Sequence, residues 1–213
     1  MIMPLIALLV VFAADDPVKI DNESVRVLHA VDQPHRPGAL HRHAVNRVMI
    51  YLNAGDQTIT YEDGRVDRQH WEAGQAAWSP AGGPHVSENV GSKPLQIIEV
   101  ELKKPAAKAP VRNPKLDPVV IDPSHNALLF QNAQVRVFRS TREVGATEMM
   151  HEHAGTGRVG VFLTDLNGSV KLADGSSTAL HVKAGDVSWS GPVTHATTNL
   201  GPNKLEMIVI EVY

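Results

Sequence analysis

The sequence predicts an all-β protein built as two tandem units, each a sandwich or small barrel. Short runs of β-branched and aromatic residues alternate with polar ones between Gly and Pro punctuation, the pattern of half-buried strands at even spacing. Sliding the chain on itself by 110 or 111 residues produces matches from end to end, the signature of an internal repeat. No stretch sustains a helical period over three turns with plausible caps.

Met1 to Ala14 carries no charge before Asp15. Fourteen residues are too few for a helix crossing a ~30 Å hydrocarbon core, which takes about 20. The run suits the apolar segment of a secretory signal, with Val11-Phe12-Ala13 placing small groups at a cleavage site, although basic residues before it are missing. The expectation is an exported protein, periplasmic or secreted, with no membrane segment in the mature chain. A buried first strand in a cytoplasmic protein is the alternative.

The first unit, 15–103, contains candidate strands Ser24 to His29, Arg47 to Leu52, Gln57 to Glu62 and Leu95 to Leu102. Asp63-Gly64 divides two such runs, a strong hairpin signal. Residues 104–118 hold four prolines with the lysine-rich stretch around them and read as an extended linker. The second unit, 119–213, repeats the first. Asn132 to Val137 falls on Asn22 to Val27, Arg158 on Arg47, Phe162 on Tyr51, Asp174-Gly175 on Asp63-Gly64, Trp189-Ser190 on Trp78-Ser79 and Asn199 on Asn89. Each unit has about 90 residues, small enough to rely on its twin for stability.

The composition narrows the chemistry. Apolar residues make up 43% and charged residues 20%, a globular balance. The net charge of −3 offers no basic face to displace counterions from nucleic acid. With no cysteine, disulfides, thiolate sites and cysteine nucleophiles are excluded. Histidine stands out, with 11 residues.

Residues i and i+2 of a strand face the same side, so His41 and His43 project together, as do His151 and His153. His85 and His195 supply a third imidazole to each pair from a later strand opening. Three neutral imidazoles can bind a divalent transition metal (Fe, Mn, Ni, Cu or Zn) and leave coordination positions open. The alternative is a set of histidines bonded to one another and to water. Trp78, Trp189, Tyr51 and Phe162 suit core packing, and Tyr51 also offers a hydroxyl as a proton donor in the pocket.

These residues resemble the cupin family. Its second motif is Gly, five residues, Pro-x-Gly, two residues, His, three residues, Asn, and Gly74, Pro80, Gly82, His85 and Asn89 match every fixed position. Its first motif centres on His-x-His, matched by His41-x-His43 and His151-x-His153. Gly38 comes too close to His41, and the second unit shortens the Pro-x-Gly turn to Gly191-Pro192-Val193. The resemblance spans 20–103 and 128–213 and implies a bicupin, two tandem double-stranded β-helix (jelly-roll) barrels that pair through sheet edges with each other or in a homodimer. It implies metal ligands at His41, His43, His85, His151, His153 and His195, with the better-matched first barrel as the working one.

The family's fourth ligand, a Glu, is replaced by Arg47 and Arg158. A guanidinium has no lone pair for a metal. It either clamps an anionic substrate by two parallel hydrogen bonds or pairs with an acid such as Glu101 or Glu211; a shifted register would instead turn it to solvent. The expected function is a metal-dependent oxidoreductase of thiol-dioxygenase type, or an isomerase, acting on a small anionic molecule held by Arg47. The alternative is a non-catalytic small-anion-binding or assembly module with vestigial metal sites.

Overall fold

Asp63-Gly64 and Asp174-Gly175 reverse the chain between paired strands in both halves. Gly64 and Gly175 adopt φ of 84° and 86°, left-handed backbone that a Cβ would strain. Their N–H groups bond the carbonyls of Tyr61 at 2.9 Å and Leu172 at 3.0 Å. The repeated asparagines act alike. Asn22 Oδ1 accepts from the backbone N–H of Ser24 and Val25, and Asn132 Oδ1 accepts from Gln134 and Val135. Local side-chain bonds of this kind fix a turn before any tertiary contact forms.

The computed structural model describes residues 17–213, so the signal-like run 1–14 lies outside the described residues. The chain divides into two compact units, meeting between Lys104 and Pro105. The first contains β1 (Val18–Asp21), β2 (Val25–Asp32), β3 (His41–His43), β4 (Arg47–Tyr51), β5 (Gly55–Tyr61), β6 (Val66–Trp71), β7 (Ala76–Ser79), β8 (Gly82–Asn89) and β9 (Leu95–Leu102). The second contains a single helical turn, α1 (Pro118–Ile121), then β10 (Asn126–Gln131), β11 (Val135–Arg142), β12 (His151–His153), β13 (Gly157–Phe162), β14 (Leu166–Leu172), β15 (Ser177–Val182), β16 (Val187–Ser190), β17 (Val193–Asn199) and β18 (Leu205–Val212).

Each unit is a pair of antiparallel sheets. The first has orders β1-β2-β9-β4-β7 and β3-β8-β5-β6; the second has β10-β11-β18-β13-β16 and β12-β17-β14-β15. Strand for strand the two orders are the same, so the repeat seen in the sequence is a repeat of topology. Among the described residues no helix is long and apolar enough to cross a membrane.

Period-2 alternation sorts the side chains. On β4 and β9, Met49, Tyr51, Leu95 and Ile97 form a core cluster with Trp71 of the facing sheet, so this is the barrel interior. In the second barrel Phe162, Leu166, Val182 and Leu205 do the same. Arg47 and Glu99 lie on that interior face in the first barrel, as Arg158 and Glu211 do in the second. The apolar end of each interior secures the barrel, and the polar end faces the histidines.

Asn89 and Asn199 are fully buried. Asn89 Nδ2 donates to the carbonyls of Asp32 and Lys93, both at 2.8 Å; Asn199 Nδ2 donates to those of Arg142 at 3.1 Å and Asn203 at 2.8 Å. The asparagine of the histidine motif is therefore a clamp for the loop behind the site.

The proline-rich segment does not hang free as a spacer. Arg112 ion-pairs with Glu211 at 2.7 Å, and Asp117 receives a bidentate pair from Arg136 at 3.0 and 2.9 Å. The N–H of Ala107 bonds the carbonyl of Ala133, and the carbonyl of Leu116 accepts from Glu152, so the segment is laid against the second barrel.

Candidate functional site

Pairing of β3 with β8 sets His41 opposite His85, and pairing of β12 with β17 sets His151 opposite His195. His43 and His153, two residues on, face the same interior. In each triad the candidate ligand nitrogens all lie within 4.8 Å of one another. Ring centroids stand 4.8, 4.6 and 5.3 Å apart in the first barrel and 4.7, 4.6 and 5.2 Å apart in the second.

The first triad is half-buried. His41 Nδ1 bonds the Ala39 carbonyl at 2.8 Å, and His85 Nδ1 bonds the Gly83 carbonyl at 3.0 Å. A carbonyl only accepts, so the neutral form of either ring carries its proton on Nδ1 and presents an Nε2 lone pair. Backbone partners of this type orient metal-binding histidines. Burial, with help from the Arg47 charge, holds His43 at a pKa of about 3, leaving it neutral. The donor set of this triad therefore fits a divalent transition metal.

Arg47 is 6% exposed, which removes the solvent-facing alternative. Its partner is Glu99, at 2.7 Å from Nη1, with Ser79 Oγ at 2.9 Å from Nη2. The acid expected there was Glu101, which is the Cα partner of Arg47. Arg26 lies on the other side of Glu101 and reaches it at 4.0 Å, so Arg47 takes the diagonal acid instead. Tyr51 is 3% exposed and its ring stacks on Trp71 at 4.0 Å. Burial and the Glu99 charge push its hydroxyl pKa up, so it keeps its proton. Asp32 also belongs to this region. Gln57 Nε2 donates to it at 3.0 Å, and burial raises its pKa against the pull of that hydrogen bond.

The second triad is buried. His151 Nδ1 bonds the Met149 carbonyl at 2.9 Å, so its Nε2 is a lone pair. His153 Nε2, 2.9 Å away, must be the donor between them. Burial holds His153 neutral, with a pKa well below the usual value, so its Nδ1 is an acceptor for Glu211 Oε1 at 2.9 Å. Burial pushes the Glu211 carboxyl up to about 7 against the pull of Arg112 and Arg136, so near neutral pH it donates to Nδ1 in its acid form and pairs with Arg112 as the carboxylate. Arg158 turns onto the triad itself. Its Nη2 donates to His195 Nε2 at 3.3 Å, and burial lowers its pKa to about 10. Nitrogens 2.9 Å apart suit adjacent ligands of one ion at ~2.1 Å. Here two protein N–H groups, from His153 and Arg158, already point into that space.

Arg158 does not pair with Glu211, the acid the sequence suggested. Glu211 is held by Arg112 and His153, and Arg136 stands 3.8 Å from it. Sequence reasoning missed Glu99, Asp32, Arg112, Asp117 and Glu148. Glu148 accepts from Thr197 N–H at 2.7 Å and pairs with Arg142. Two signals were present. Five residues separate Gly145 from His151, the glycine spacing of the first motif. Glu99 falls on Val209 in the repeat, a difference at an interior position.

No protein-family model matches the chain, and no curated protein matches it significantly. Solved structures do. Oxalate decarboxylase from Bacillus subtilis, described with Mn(II) centres, aligns at a TM-score of 0.62 and 16% identity over 89% of this chain and 69% of its own. The same enzyme at pH 4.6 gives 0.62, 16%, 89% and 68%, and a variant of it gives 0.63, 15%, 89% and 69%. At these identities the likeness defines the fold, two tandem cupin barrels.

Proposed function

We propose that the chain is a metal-dependent bicupin in which His41, His43 and His85 hold a divalent transition metal and the first barrel acts on a small carboxylate. The observation that carries this reading is the half-buried triad, in which two Nδ1–H groups are satisfied by backbone carbonyls and Nε2 lone pairs face one another. The Mn(II) of the structural neighbours makes manganese the first ion to test, and oxalate the first substrate. The metal, when bound, supplies a Lewis acid with open positions. Glu99 and Ser79 hold the Arg47 fork, neutralise it and keep it off the metal, so the bound metal would be the charge that draws the anion. Tyr51, which retains its proton, lines the same interior as Asp32, whose pKa burial raises. The reaction class that suits this set is oxidoreduction or isomerisation of the bound carboxylate.

The second triad is the weaker metal site. Two like charges ~4 Å apart repel by about 4 kcal/mol at an effective dielectric constant near 20, and the hydrogen bond of Arg158 goes to a triad nitrogen, His195 Nε2, where that of Arg47 goes to a carboxylate.

The test is elemental analysis of the purified full chain beside His85→Ala and His195→Ala variants. The expected result is one transition metal per chain, lost in His85→Ala and retained in His195→Ala. Metal that follows His195 instead, or none after reconstitution with manganese, iron and zinc, overturns the reading.

A further inference from the structure

The histidine rows of the two barrels end on different neighbours. On β8, His85 is the register partner of His41 on β3 and of Tyr61 on β5, so the three rings form one row on the interior face. The Tyr61 ring stands 6.1 Å from that of His85. Leu172 holds the same place beside His195. Tyr61 is fixed where it stands. Its hydroxyl donates to Asp67 Oδ2 at 3.0 Å, the Arg65 guanidinium lies 3.6 Å over the ring centroid, and Arg65 Nη1 bonds both Asp67 oxygens at 2.7 and 2.6 Å. The repeat puts Leu172, Ser176 and Thr178 at these three positions, so the second barrel lacks the whole assembly.

Beside Tyr61 the rim of the first barrel opens into a groove of about 380 Å³, lined by Tyr61, Glu62, Asp63, Gly83 and Pro84. It adjoins the triad, because the Gly83 carbonyl is the partner of His85 Nδ1. The glycine keeps it open, since a Cβ there would meet no other atom within 4 Å. Its φ is not in the left-handed range, so the backbone itself accepts a side chain. Two residues before His195, at the matching position, stands Val193. The second barrel is also closed there by its backbone. The Ala173 N–H bonds the Thr194 carbonyl at 3.2 Å, whereas their counterparts, Glu62 and Pro84, line the groove.

The lining decides what can enter. The rings of Tyr61 and Pro84 offer apolar contact, Glu62 and Asp63 are acids, and the guanidinium of Arg65 is engaged by Asp67. An alkyl chain gains by leaving water for the two rings, while a second negative charge is repelled by the acids.

We infer that this groove is the subsite for the tail of the substrate in the first barrel, and that it selects a short monocarboxylate with an alkyl tail over a dicarboxylate of the same length. The inference rests on the metal site proposed above, which takes the carboxylate end. Tyr61 and Gly83 are then specificity-determining residues, and oxalate, which has no tail, uses the metal end alone.

The test is calorimetric titration of the zinc-loaded full chain with acetate, butyrate and succinate. Butyrate is expected to bind about five- to tenfold tighter than acetate, the effect of partly burying two methylene groups. Succinate is expected to bind at least about tenfold more weakly than butyrate, with the gap narrowed in a Glu62→Gln, Asp63→Asn double variant. In Gly83→Val, which brings in the residue of the second barrel, butyrate should fall to the level of acetate measured in the same variant. If that variant fails to fold or to load zinc, the Tyr61 ring resonances of the wild-type chain give the readout: they should shift with butyrate and not with acetate. Butyrate no tighter than acetate, succinate as tight as butyrate, a preference that survives Gly83→Val, or unmoved Tyr61 resonances would overturn the groove and leave the metal site standing. A chain that takes up no metal and binds none of the three acids would overturn the function proposed above, and the groove with it.

Discussion

The two histidine triads are nearly the same object in different surroundings. Their ring spacings agree within 0.1 Å, from 4.6 to 5.3 Å in one barrel and 4.6 to 5.2 Å in the other. Yet the first is half-buried with its arginine neutralised, and the second is buried with its arginine turned onto a ligand nitrogen. One residue on the last strand separates them, Glu99 in β9 against Val209 in β18. The acid decides whether the guanidinium looks away from the imidazoles or at them. What a triad can bind is therefore set by the acceptors behind it, as much as by the three rings.

The strongest way to break this comparison is at Glu211. It is fully buried against Arg112 and Arg136, whereas its counterpart Glu101 meets a half-exposed Arg26 at 4.0 Å. Glu211→Ala is expected to cost about 3–5 kcal/mol of stability, read by denaturant titration, because it strands buried guanidinium charge. Acidification should show the next largest effect. His43, His151, His153 and His195 all have folded pKa values below their ordinary value. The unfolded chain therefore takes up protons at these sites below about pH 6.5 while the folded chain does not, and stability falls from there toward about pH 3. Glu211 opposes this, since its raised pKa stabilises the fold most below its unfolded value and the benefit is lost through about pH 7. With these four histidines against two raised carboxyls, Glu211 and Asp32, metal-free protein should melt at lower temperature at pH 5 than at pH 7.5.

Glu99→Val gives the first barrel the arrangement of the second. Metal binding there should weaken about 10–100-fold, the usual effect of losing a residue that supports a site, measured by competition with a chelator. The smallest effect is expected at Glu101→Ala. That long, partly exposed pair should change stability by less than about 1 kcal/mol.

The repeat made the fold legible. Matching glycines, asparagines and histidines across 110 residues marks the turns, and turns with period-2 strands leave few all-β alternatives. The triads were legible for the same reason, since i and i+2 spacing on a strand fixes a common face. The partners of Arg47 and Arg158 were not. Cα register pairs Arg47 with Glu101, but a long side chain reaches diagonally, and the competing Arg26 comes from a strand the sequence does not place alongside. Searching the repeat for identities also hides its most informative position, where Glu99 meets Val209. Arg112 and Asp117 were read as linker because proline content describes backbone freedom and says nothing about charge complementarity.

That linker has a consequence for how the duplicated halves became unequal. Arg112 and Asp117 lie upstream of the second repeat. Glu211 and Arg136 thus take counter-charges from outside the repeated unit, while in the first barrel Arg26 meets Glu101 and Asp21 at 4.0 Å. Once borrowed, those charges fix a boundary: a second barrel cut to begin at residue 119 loses the partners of two buried ions, whereas one beginning at Pro105 keeps them. The join between the copies is inherited as part of the second copy's interior, and the two halves can no longer be exchanged.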